Sequence, residues 1–472
     1  MEFHTRRGAD MRRAHIGIVL TLVIGGVAAG YGQALGGGYL IRNASLVLTM
    51  DQGLGDQSVL GQLEDADVLL VDDTIAAVGV NLLKPSGTAV IDGRGMIVMP
   101  GFVNTHDHTL QSLIRGCGLD DNVVGWLERC PGGIRRAAAT ESEIYAAVRL
   151  STAGLIDTGV TTVVDWPGRF DTPVVRGNVR ALVDSKMRFA VAVFGFALDG
   201  SDIATTVSAI KHEFIDPNPL ATLQVATHPA PFFAAHVTKA TEAALSFGIK
   251  LHFHLLENIA NVTENPLQVL QTAGAFALGR DLHAAHFVHA SDSDIATLAS
   301  LQASVAHNPL SNMRLASGIM PYADVQNAGI RLSLGLDGGT NDTTDMFNNM
   351  RVAVGLQRAK SLDPHVAPTV AAVLRAATLG GAETLDMESQ IGSLTPGKQA
   401  DVIVIDPRTL NFAPPVAPVN QLITNGQPQN VKYVFVAGRL LKQNGHLVGV
   451  HVGTLIQNAQ TAADRIAPFL EP

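Results

Sequence analysis

The chain has 472 residues, of which 47% are hydrophobic and 16% charged, and this balance excludes a disordered polypeptide. Its 33 Lys and Arg residues stand against 42 Asp and Glu residues, so the net charge is −9 and nothing marks a nucleic-acid binder. Two cysteines cannot supply a disulfide scaffold or a four-thiolate metal site. These properties indicate a large, mildly acidic globular protein with room for a large and a small domain.

The N-terminus has the pattern of an export signal. Arg12 and Arg13 precede an apolar run over residues 16–24, and no charged residue lies between Arg13 and Arg42. Basic residues, a short apolar core and small residues at its exit are typical of a secretory signal peptide. We therefore predict that residues 1–34 are a signal peptide and that the protein is exported, to the periplasm or outside the cell. An uncleaved membrane anchor is the alternative, and membrane contact is expected only in that case.

Export affects the interpretation of the two cysteines. Cys117 and Cys130 belong to one predicted loop, and in an oxidising compartment they could form a disulfide. Two free thiols are the equally weighted alternative. Neither cysteine has a histidine partner nearby in the sequence, so neither is assigned a catalytic role.

Short β-rich runs lie near both ends of the chain. Residues 39–41, 45–48, 68–71 and 75–78 are such runs separated by turns, and residues 401–405 and 431–436 repeat the pattern. We predict a small β-sandwich domain assembled from residues 35–98 and 386–472, with a helix at the C-terminal end.

The middle of the chain alternates between strands and helices. Strand candidates are residues 97–102, 161–164, 189–193, 223–226, 250–254, 284–288, 303–306 and 331–336, and helical periodicity covers 141–156, 236–247, 292–298 and 345–357. Eight strands, most of them followed by a helix, predict an α/β fold with a (β/α)8 TIM barrel over residues 99–385. A doubly wound sheet is the alternative, and the placement of the polar residues argues against it.

Residues that can bind metal end several predicted strands. His106 and His108 follow the first strand, His254 ends the fifth, His286 lies in the sixth and Asp337 ends the eighth. The C-terminal ends of barrel strands meet at one mouth, so these side chains are expected to converge. Residues two apart on a strand share a face, so the first two histidines can bind one ion together. A third imidazole and a carboxylate complete the ligand set of a catalytic zinc site.

Other histidines are expected to be structural. His252 and His254 share a face of their strand, and one of them is expected to lie deeper in the barrel. Of His283, His286 and His289, at most one is expected to point inward. A lone His-x-His pattern is common by chance, so the metal prediction depends on joint placement at successive strand ends.

These segments resemble the amidohydrolase superfamily, in particular its chlorohydrolase/deaminase branch, which includes adenosylhomocysteine and guanine deaminases. The similar blocks are PGFVNTHDH (100–108), HLLE (254–257), AHFVH (285–289), AHNPLSN (306–312) and LGLDGG (334–339). Residues 391–401 are similar to the return into the composite β-sandwich of that family. The resemblance covers nearly all of the chain from residue 38 to residue 450.

The resemblance implies a mononuclear metal site, because no lysine fits the pattern of a carbamylated bridge. One divalent ion, with zinc the expected metal, would be held by four residues: His106, His108, His254 and Asp337. A water molecule activated by that ion would have its pKa lowered to about 7.

The reaction that the resemblance implies is attack of this water on a C=N carbon of an N-heterocycle, most often with release of ammonia. Asp337 would take the proton of the water, Glu257 would pass a proton to the ring nitrogen, and His286 would orient the nucleophile. The same residues would also suit hydrolytic dechlorination, dealkylamination, or cleavage of an amide or C–S bond. A ring-opening hydrolase and, from another class, a non-catalytic ligand-binding relative are less favoured.

Three further residues match substrate positions of the branch. Gln111 would bind the ring, His228 would contact substrate, and Trp126 belongs to the first loop. The structural alternative for Gln111 is a solvated loop residue, and for Trp126 it is a packing residue. Asp107 is expected to face away from the metal. Dimers are common in this family, so a homodimer is the assembly to test.

The chain departs from the branch after the first-loop tryptophan. Nucleoside-type members carry a ribose-binding glutamate there, whereas this chain is shorter and reads PGGIR over residues 131–135. We therefore expect a small N-heterocyclic substrate that is smaller than an adenosyl compound or is anionic.

Overall fold

The computed structural model describes residues 37–340 and 343–470, so the predicted signal peptide lies outside the described residues. No helix within these ranges is long and apolar enough to span a membrane. The strands are β1 (Tyr39–Leu48), β2 (Gln62–Val71), β3 (Thr74–Gly79), β4 (Ala89–Asp92), β5 (Ile97–Pro100), β6 (Phe102–Asp107), β7 (Val160–Asp165), β8 (Arg188–Val193), β9 (Ala221–Thr227), β10 (Lys250–Leu255), β11 (Leu282–His286), β12 (Ser304–His307), β13 (Arg331–Leu334), β14 (Val402–Ile405), β15 (Val431–Val436), β16 (Arg439–Gln443) and β17 (His446–Leu447).

The α-helices lie mainly between the strands of the central segment. They are α1 (Val123–Arg136), α2 (Glu141–Asp157), α3 (Thr172–Ser185), α4 (Ile203–Ile210), α5 (Ala234–Phe247), α6 (Pro266–Thr272), α7 (Asp292–Ser300), α8 (Pro309–Arg314), α9 (Tyr322–Asn327), α10 (Met346–Ser361), α11 (Val370–Ala376), α12 (Leu379–Thr384), α13 (Pro418–Thr424) and α14 (Val452–Ile466).

Strands β6 to β13 form a closed parallel barrel, and the predicted TIM barrel is confirmed. The order follows the chain, and β13 pairs with β6 where Leu334 lies opposite Asn104. The Asn104 side chain strengthens this junction, because its Oδ1 accepts a hydrogen bond of 2.9 Å from the backbone N–H of Leu336. Closure excludes the doubly wound sheet, which has two open edges.

The remaining nine strands form one mixed sheet from both ends of the chain, as predicted for the small β-domain. Its side chains alternate between two apolar cores with the period of two that strands impose. Val98 and Val404 belong to the core of the sheet itself, whereas Ile97 and Ile403 belong to the large core that includes the barrel. The two runs predicted at 39–41 and 45–48 are a single strand, β1, with an irregular register between Ile41 and Ala44.

The first predicted barrel strand, residues 97–102, is wrong as a single element. Pro100 pairs with Val402 in the terminal sheet, whereas the N–H of Phe102 donates to the carbonyl of Gly159 at the start of the barrel. The chain changes sheets at Gly101, where an added Cβ would lie 2.1 Å from Thr161 Cγ2. A side chain at that point would therefore prevent the two sheets from approaching each other.

A buried ion pair also joins the barrel to the terminal sheet. Arg188, the first residue of β8, donates from Nε and Nη2 to the two carboxylate oxygens of Asp401, at 3.1 and 3.0 Å. Asp401 also accepts a 2.8 Å hydrogen bond from the N–H of Ala437. Both side chains are almost wholly buried, so each charge depends on the other for solvation.

We expect Asp401→Ala to lower the free energy of unfolding by about 3–5 kcal/mol, because it leaves a buried guanidinium without its counter-charge. Urea denaturation monitored by circular dichroism measures this change. Asp92→Ala, which removes the partner of the exposed Arg94, is the control and should leave the unfolding curve unchanged. Equal losses of unfolding free energy in the two variants would show that the buried ion pair contributes no more to stability than the exposed one.

Candidate active site

Four side chains converge at the C-terminal mouth of the barrel. His106 and His108 lie at the end of β6, His254 lies on β10 and Asp337 follows β13; one ligand atom of each lies within 4.8 Å of the others. Asp337 Oδ1 is 3.0 Å from His106 Nε2 and 3.5 Å from His108 Nε2. The structure thus brings together the four residues predicted to bind metal.

Hydrogen bonds determine which nitrogen of His106 faces this centre. Nδ1 of His252 lies 3.0 Å from the carbonyl oxygen of His283, which only accepts, so this Nδ1 carries the proton. Nε2 of His252 then accepts from Nδ1 of His106, at 2.7 Å. Nε2 of His106 is left with its lone pair, is buried and has no hydrogen-bond partner among the described residues. A lone pair aimed at other donor atoms fits a metal ion.

His108 is oriented in the same way. Its Nδ1 donates to the carbonyl oxygen of Trp166 at 2.8 Å, so its Nε2 is the acceptor that faces the centre. That Nε2 lies 3.3 Å from Nε2 of His254. Nδ1 of His254 in turn lies 3.2 Å from Nδ1 of His228, and the two imidazole rings stack. Three imidazole nitrogens and a carboxylate are the donors that zinc and similar divalent ions prefer.

Asp337 also belongs to a second group, with Glu257 and His286. Oε1 of Glu257 lies 3.8 Å from Nδ1 of His286, and Oδ2 of Asp337 lies 4.0 Å from Nε2 of His286. Burial, together with the charge of Asp337, raises the pKa of Glu257 well above its ordinary value. Glu257 is therefore suited to hold a proton at neutral pH, whereas Oδ2 of Asp337 accepts a hydrogen bond from the hydroxyl of Ser311.

The backbone turns His286 towards the site. His286 and Phe287 have φ values of 76° and 55°, so β11 ends at His286, although the strand was predicted to continue to residue 288. The side-chain amides of Asn308 and Asn312 donate to its Nδ1 at 3.2 and 3.0 Å. Burial lowers the pKa of His286 to about 3, so the ring is neutral and carries its proton on Nε2. Nε2 is buried and has no hydrogen-bond partner, which leaves it free to donate to a ligand.

The expectation that at most one of His283, His286 and His289 points inward is wrong. His283 lies inside the barrel with its ring 4.0 Å from that of His252, and its Nδ1 lies 3.3 Å from Gln224 Oε1. Strict strand alternation would put His283 and His286 on opposite faces. The positive φ of His286 breaks that alternation, so both rings are inside at different depths.

A cavity of about 450 Å³ opens onto the metal-binding group, and the three predicted substrate residues line it. Oε1 of Gln111 accepts a 3.0 Å hydrogen bond from the N–H of Gly339, which leaves the amide N–H groups for a ligand. Trp126 is 3% exposed, and its Nε1 has no hydrogen-bond partner. The His228 ring lies against both Trp166 and His254, with ring centroids 5.1 and 4.9 Å away. None of the three is a solvated loop residue.

Asp107 is directed away from the cavity. Its Oδ2 accepts a 2.6 Å hydrogen bond from Nδ2 of Asn104, and it lies opposite Asp165 in the β6–β7 pairing. Burial and the charge of Asp165 raise the pKa of Asp107 to about 8. The packing role expected for Asp107 agrees with this placement.

The two cysteines form a disulfide, which the sequence had left open. Cys117 and Cys130 have Cα atoms 6.0 Å apart, and the bond ties the loop after residue 114 to α1. Helix α1 carries Trp126 and Arg135 into the cavity wall. The disulfide therefore supports the wall that faces the substrate, away from the metal ligands.

The sequence reasoning missed several supporting residues. Trp166 stacks on His254 with ring centroids 4.2 Å apart and accepts from His108, whereas Ser311, Asn308 and Asn312 orient Asp337 and His286. The available signal for Trp166 was its position directly after a barrel strand. The signal for the other three was the AHNPLSN segment (306–312), whose resemblance to the family does not by itself give these residues a role.

Known proteins are similar to this chain over the segment that forms the barrel and its site. The amidohydrolase family model matches residues 97–441. A 5'-deoxyadenosine deaminase from Methanosphaera stadtmanae is 29% identical over 423 residues, covering 87% of this chain and 98% of the relative. A 5-methylthioadenosine/S-adenosylhomocysteine deaminase from Syntrophobacter fumaroxidans is 31% identical over 421 residues, covering 85% and 93%.

Solved structures show the same fold. An adenosine deaminase from Xanthomonas campestris with bound zinc has a TM-score of 0.79 and 26% identity, covering 91% of this chain and 98% of the other. An atrazine chlorohydrolase from Arthrobacter aurescens in complex with zinc has a TM-score of 0.81 and 24% identity, covering 90% and 100%.

We expect His252→Gln to weaken metal binding about 10- to 100-fold, because the variant no longer fixes the tautomer and ring orientation of His106. Competition of the purified protein with a chromophoric chelator measures the affinity. His236→Gln is the matched control, since His236 is equally buried but bonds to Thr227 and to the carbonyl of Phe194. Unchanged affinity in His252→Gln would contradict the orienting role.

Proposed function

The chain belongs to the amidohydrolase family, and on that premise we propose that it hydrolyses the C–N bond of an aminated N-heterocycle and releases ammonia. The observation that carries the proposal is the double role of Asp337. It belongs both to the group that fits a metal ion and to the group with Glu257 and His286, and all of these except the buried His106 line one cavity. A metal-activated water and a proton donor would thus reach the two bonded atoms of one C=N group in the substrate.

We propose zinc as the ion, held by His106, His108, His254 and Asp337. The chemistry of the donors supports this, and two solved structures with the same fold contain zinc. When bound, such an ion supplies a Lewis acid that lowers the pKa of a water molecule to about 7. The remaining steps depend on the protein's own side chains.

Proton transfer is divided between two carboxyl groups with different surroundings. Asp337 takes a proton from the attacking water as the oxygen bonds to the ring carbon. Glu257, protonated because its pKa is raised, donates to the adjacent ring nitrogen and so makes that carbon more electrophilic. The proton on Asp337 then passes to the amino group, and the C–N bond breaks as ammonia leaves. The proton that remains on the added oxygen returns to Glu257 as the carbonyl forms, which restores both carboxyl groups. The products balance as one water consumed and one ammonia formed.

His286 stabilises the oxygen that attacks. Its Nδ1 is occupied by two amide donors, so its Nε2–H is the group that can donate to this oxygen. A preoriented donor in a buried site stabilises developing negative charge more strongly than one in water. Because its pKa is low, His286 acts as a neutral hydrogen-bond donor in this role.

Two residues are proposed to read the heterocycle. If Nε2 of His254 binds the metal, its Nδ1–H donates to Nδ1 of His228, and His228 then presents Nε2–H as a donor. Gln111 presents its amide N–H groups because its oxygen is already used by Gly339. Both would donate to ring nitrogens, which is the pattern of an aminated purine, pyrimidine, pterin or triazine.

We also propose that the protein is exported. The basic and apolar segment at residues 12–34 supports this, and so does the disulfide between Cys117 and Cys130, since stable disulfides belong to oxidising compartments. N-terminal sequencing of the protein recovered from the periplasm or the medium tests the proposal. A start at residue 1 or 11 in the cytosolic fraction would contradict it.

To test the reaction, the metal-loaded full-length protein is incubated with aminated purines, pyrimidines, pterins and triazines, and ammonia is measured. We expect release from at least one ring class, because the site combines the metal ligands with a proton donor. Chlorinated analogues, with chloride measured in parallel, distinguish a dechlorinating enzyme. Absence of ammonia across the panel, with one divalent ion per chain verified, would contradict deamination.

We expect Glu257→Gln to lower kcat for the best substrate by about 10²- to 10⁴-fold, because the amide cannot donate the proton of a carboxylic acid. Metal content should stay at the level of the unsubstituted protein, since Glu257 is not among the four proposed ligands. Glu213→Gln, at an exposed ion pair with Arg176, is the control for loss of one negative charge. A kcat within two-fold of the parent, as an approximate threshold, would remove Glu257 from the mechanism.

A further inference from the structure

Two arginines line the cavity, and neither forms an ion pair with a residue that the structure describes. Arg135 lies in the last turn of α1, and Arg169 lies in the loop after β7. Among the residues that the structure describes, no carboxylate oxygen lies within 4.0 Å of either guanidinium group. The side chain of Arg135 makes no hydrogen bond to the described part of the chain either. Arginines on a ligand-facing wall normally pair with an acid, so these two are available to a ligand.

Arg169 is held in place by neutral groups. Its Nε donates to the carbonyl oxygen of Phe196 at 2.8 Å, and its guanidinium carbon lies 5.2 Å from the centre of the Phe196 ring. These contacts orient the guanidinium and leave its terminal nitrogens without a hydrogen bond or ion pair to described residues. An oriented guanidinium loses little conformational entropy when it binds an anion.

The two guanidinium groups line the same cavity, so their positive charges add there. Burial and the charge of Arg169 lower the pKa of Arg135, and Arg136 adds to this effect. Arginine nevertheless stays charged in proteins, so the repulsion persists in the free protein. An anion placed between the two groups would relieve it.

The acidic residues of the cavity serve elsewhere. Glu257 and Asp337 belong to the reaction centre, and Oε2 of Glu264 accepts a 2.8 Å hydrogen bond from Nδ2 of Asn261. Much of the remaining lining is aromatic or aliphatic. Arg135 and Arg169 are therefore the cationic part of the lining, and none of these three acids lies within 4.0 Å of them.

We propose that the substrate heterocycle carries an oxyanionic substituent, and that Arg135 and Arg169 bind this substituent while the ring lies at the metal. This inference rests on the proposed deamination and narrows its substrate class. A carboxylate is the favoured anion, because its planar pair of oxygens matches the fork of a guanidinium. The cavity of about 450 Å³ has room for a bicyclic ring with a short acidic chain.

The position of Arg135 in the chain is consistent with this assignment. Arg135 ends the PGGIR segment (131–135) in the last turn of α1. A cation on this wall favours an acidic substituent over a neutral polyol. The disulfide of Cys130 to the preceding loop holds the helix that carries Arg135.

The test compares adenin-9-ylacetate with its neutral isostere adenin-9-ylacetamide. Binding is measured by calorimetry with the metal-loaded full-length Glu257→Gln variant, so that no turnover is needed. We expect the acid to bind about ten-fold more tightly than the amide, and Arg135→Gln or Arg169→Gln in the same background to remove that preference while the affinity for the amide stays unchanged. Arg94→Gln on the surface of the terminal sheet is the control for net charge.

Two further measurements separate the outcomes. Ammonia release by the unsubstituted protein from these compounds and from the panel of heterocycles tests deamination alone, so an acid preference without ammonia from any of them would contradict the proposed function and retain the anion site. Adenin-9-ylmethylphosphonate in place of the acetate distinguishes a phosphonate-type anion from a carboxylate. Equal binding of acid and amide, no measurable binding of either, or an equal loss of both in Arg135→Gln would overturn the inference, whatever the ammonia assay gives.

Discussion

The site depends on buried imidazoles that are neutral and have a defined tautomer. Burial lowers the pKa of His106, His252, His254 and His283 well below the ordinary value, and neighbouring imidazoles add to the effect. A neutral imidazole has one donor and one acceptor nitrogen, so a single fixed hydrogen bond determines the role of the other nitrogen. The carbonyl oxygen of His283 provides that fixed point for His252 and, through it, for His106. A metal ion can then meet a lone pair without prior rearrangement of the ring.

The fixed hydrogen bonds between these imidazoles require barrel strands whose C-terminal ends do not move. Asn104 closes the barrel by a side-chain bond across to the β13 end, and Gly101 lets the terminal sheet approach the first barrel strand closely. Arg188 and Asp401 join the same two parts where water is absent. The nine-stranded sheet therefore supports the barrel strands, although none of the cavity-lining residues comes from it.

The cavity divides into a reaction centre and a recognition wall with different origins. The reaction centre comes from strand ends and the residues directly after them, where backbone hydrogen bonds define position closely. The wall that carries Trp126, Arg135 and Arg169 comes from a helix and a loop that can vary without disturbing the metal ligands. Solved structures with this fold include an adenosine deaminase and an atrazine chlorohydrolase, which agrees with such a division. On the proposal made for Arg135 and Arg169, the charge of the wall, more than the reaction centre, would distinguish one substrate from another.

The amino-acid pattern alone was enough to predict the barrel and the residues at its mouth. Alternating strands and helices predict the fold, and strand ends of a barrel must converge, so His106, His108, His254 and Asp337 could be assembled from their positions alone. The family resemblance then assigned a role to Glu257. The barrel and the convergence of these four residues are confirmed because they depend on local periodicity and one general rule of topology, whereas the role of Glu257 stays a prediction.

The folded structure was needed to show which side chains support the metal-binding residues. The inward turn of both His283 and His286 results from a positive φ that strand alternation does not reveal. The pairing of the cysteines, the change of sheets at Gly101 and the absence of an acid beside Arg135 within the described ranges depend on contacts between distant segments. Periodicity describes the faces of one element, whereas these features arise from the distance between elements, which only the folded chain defines.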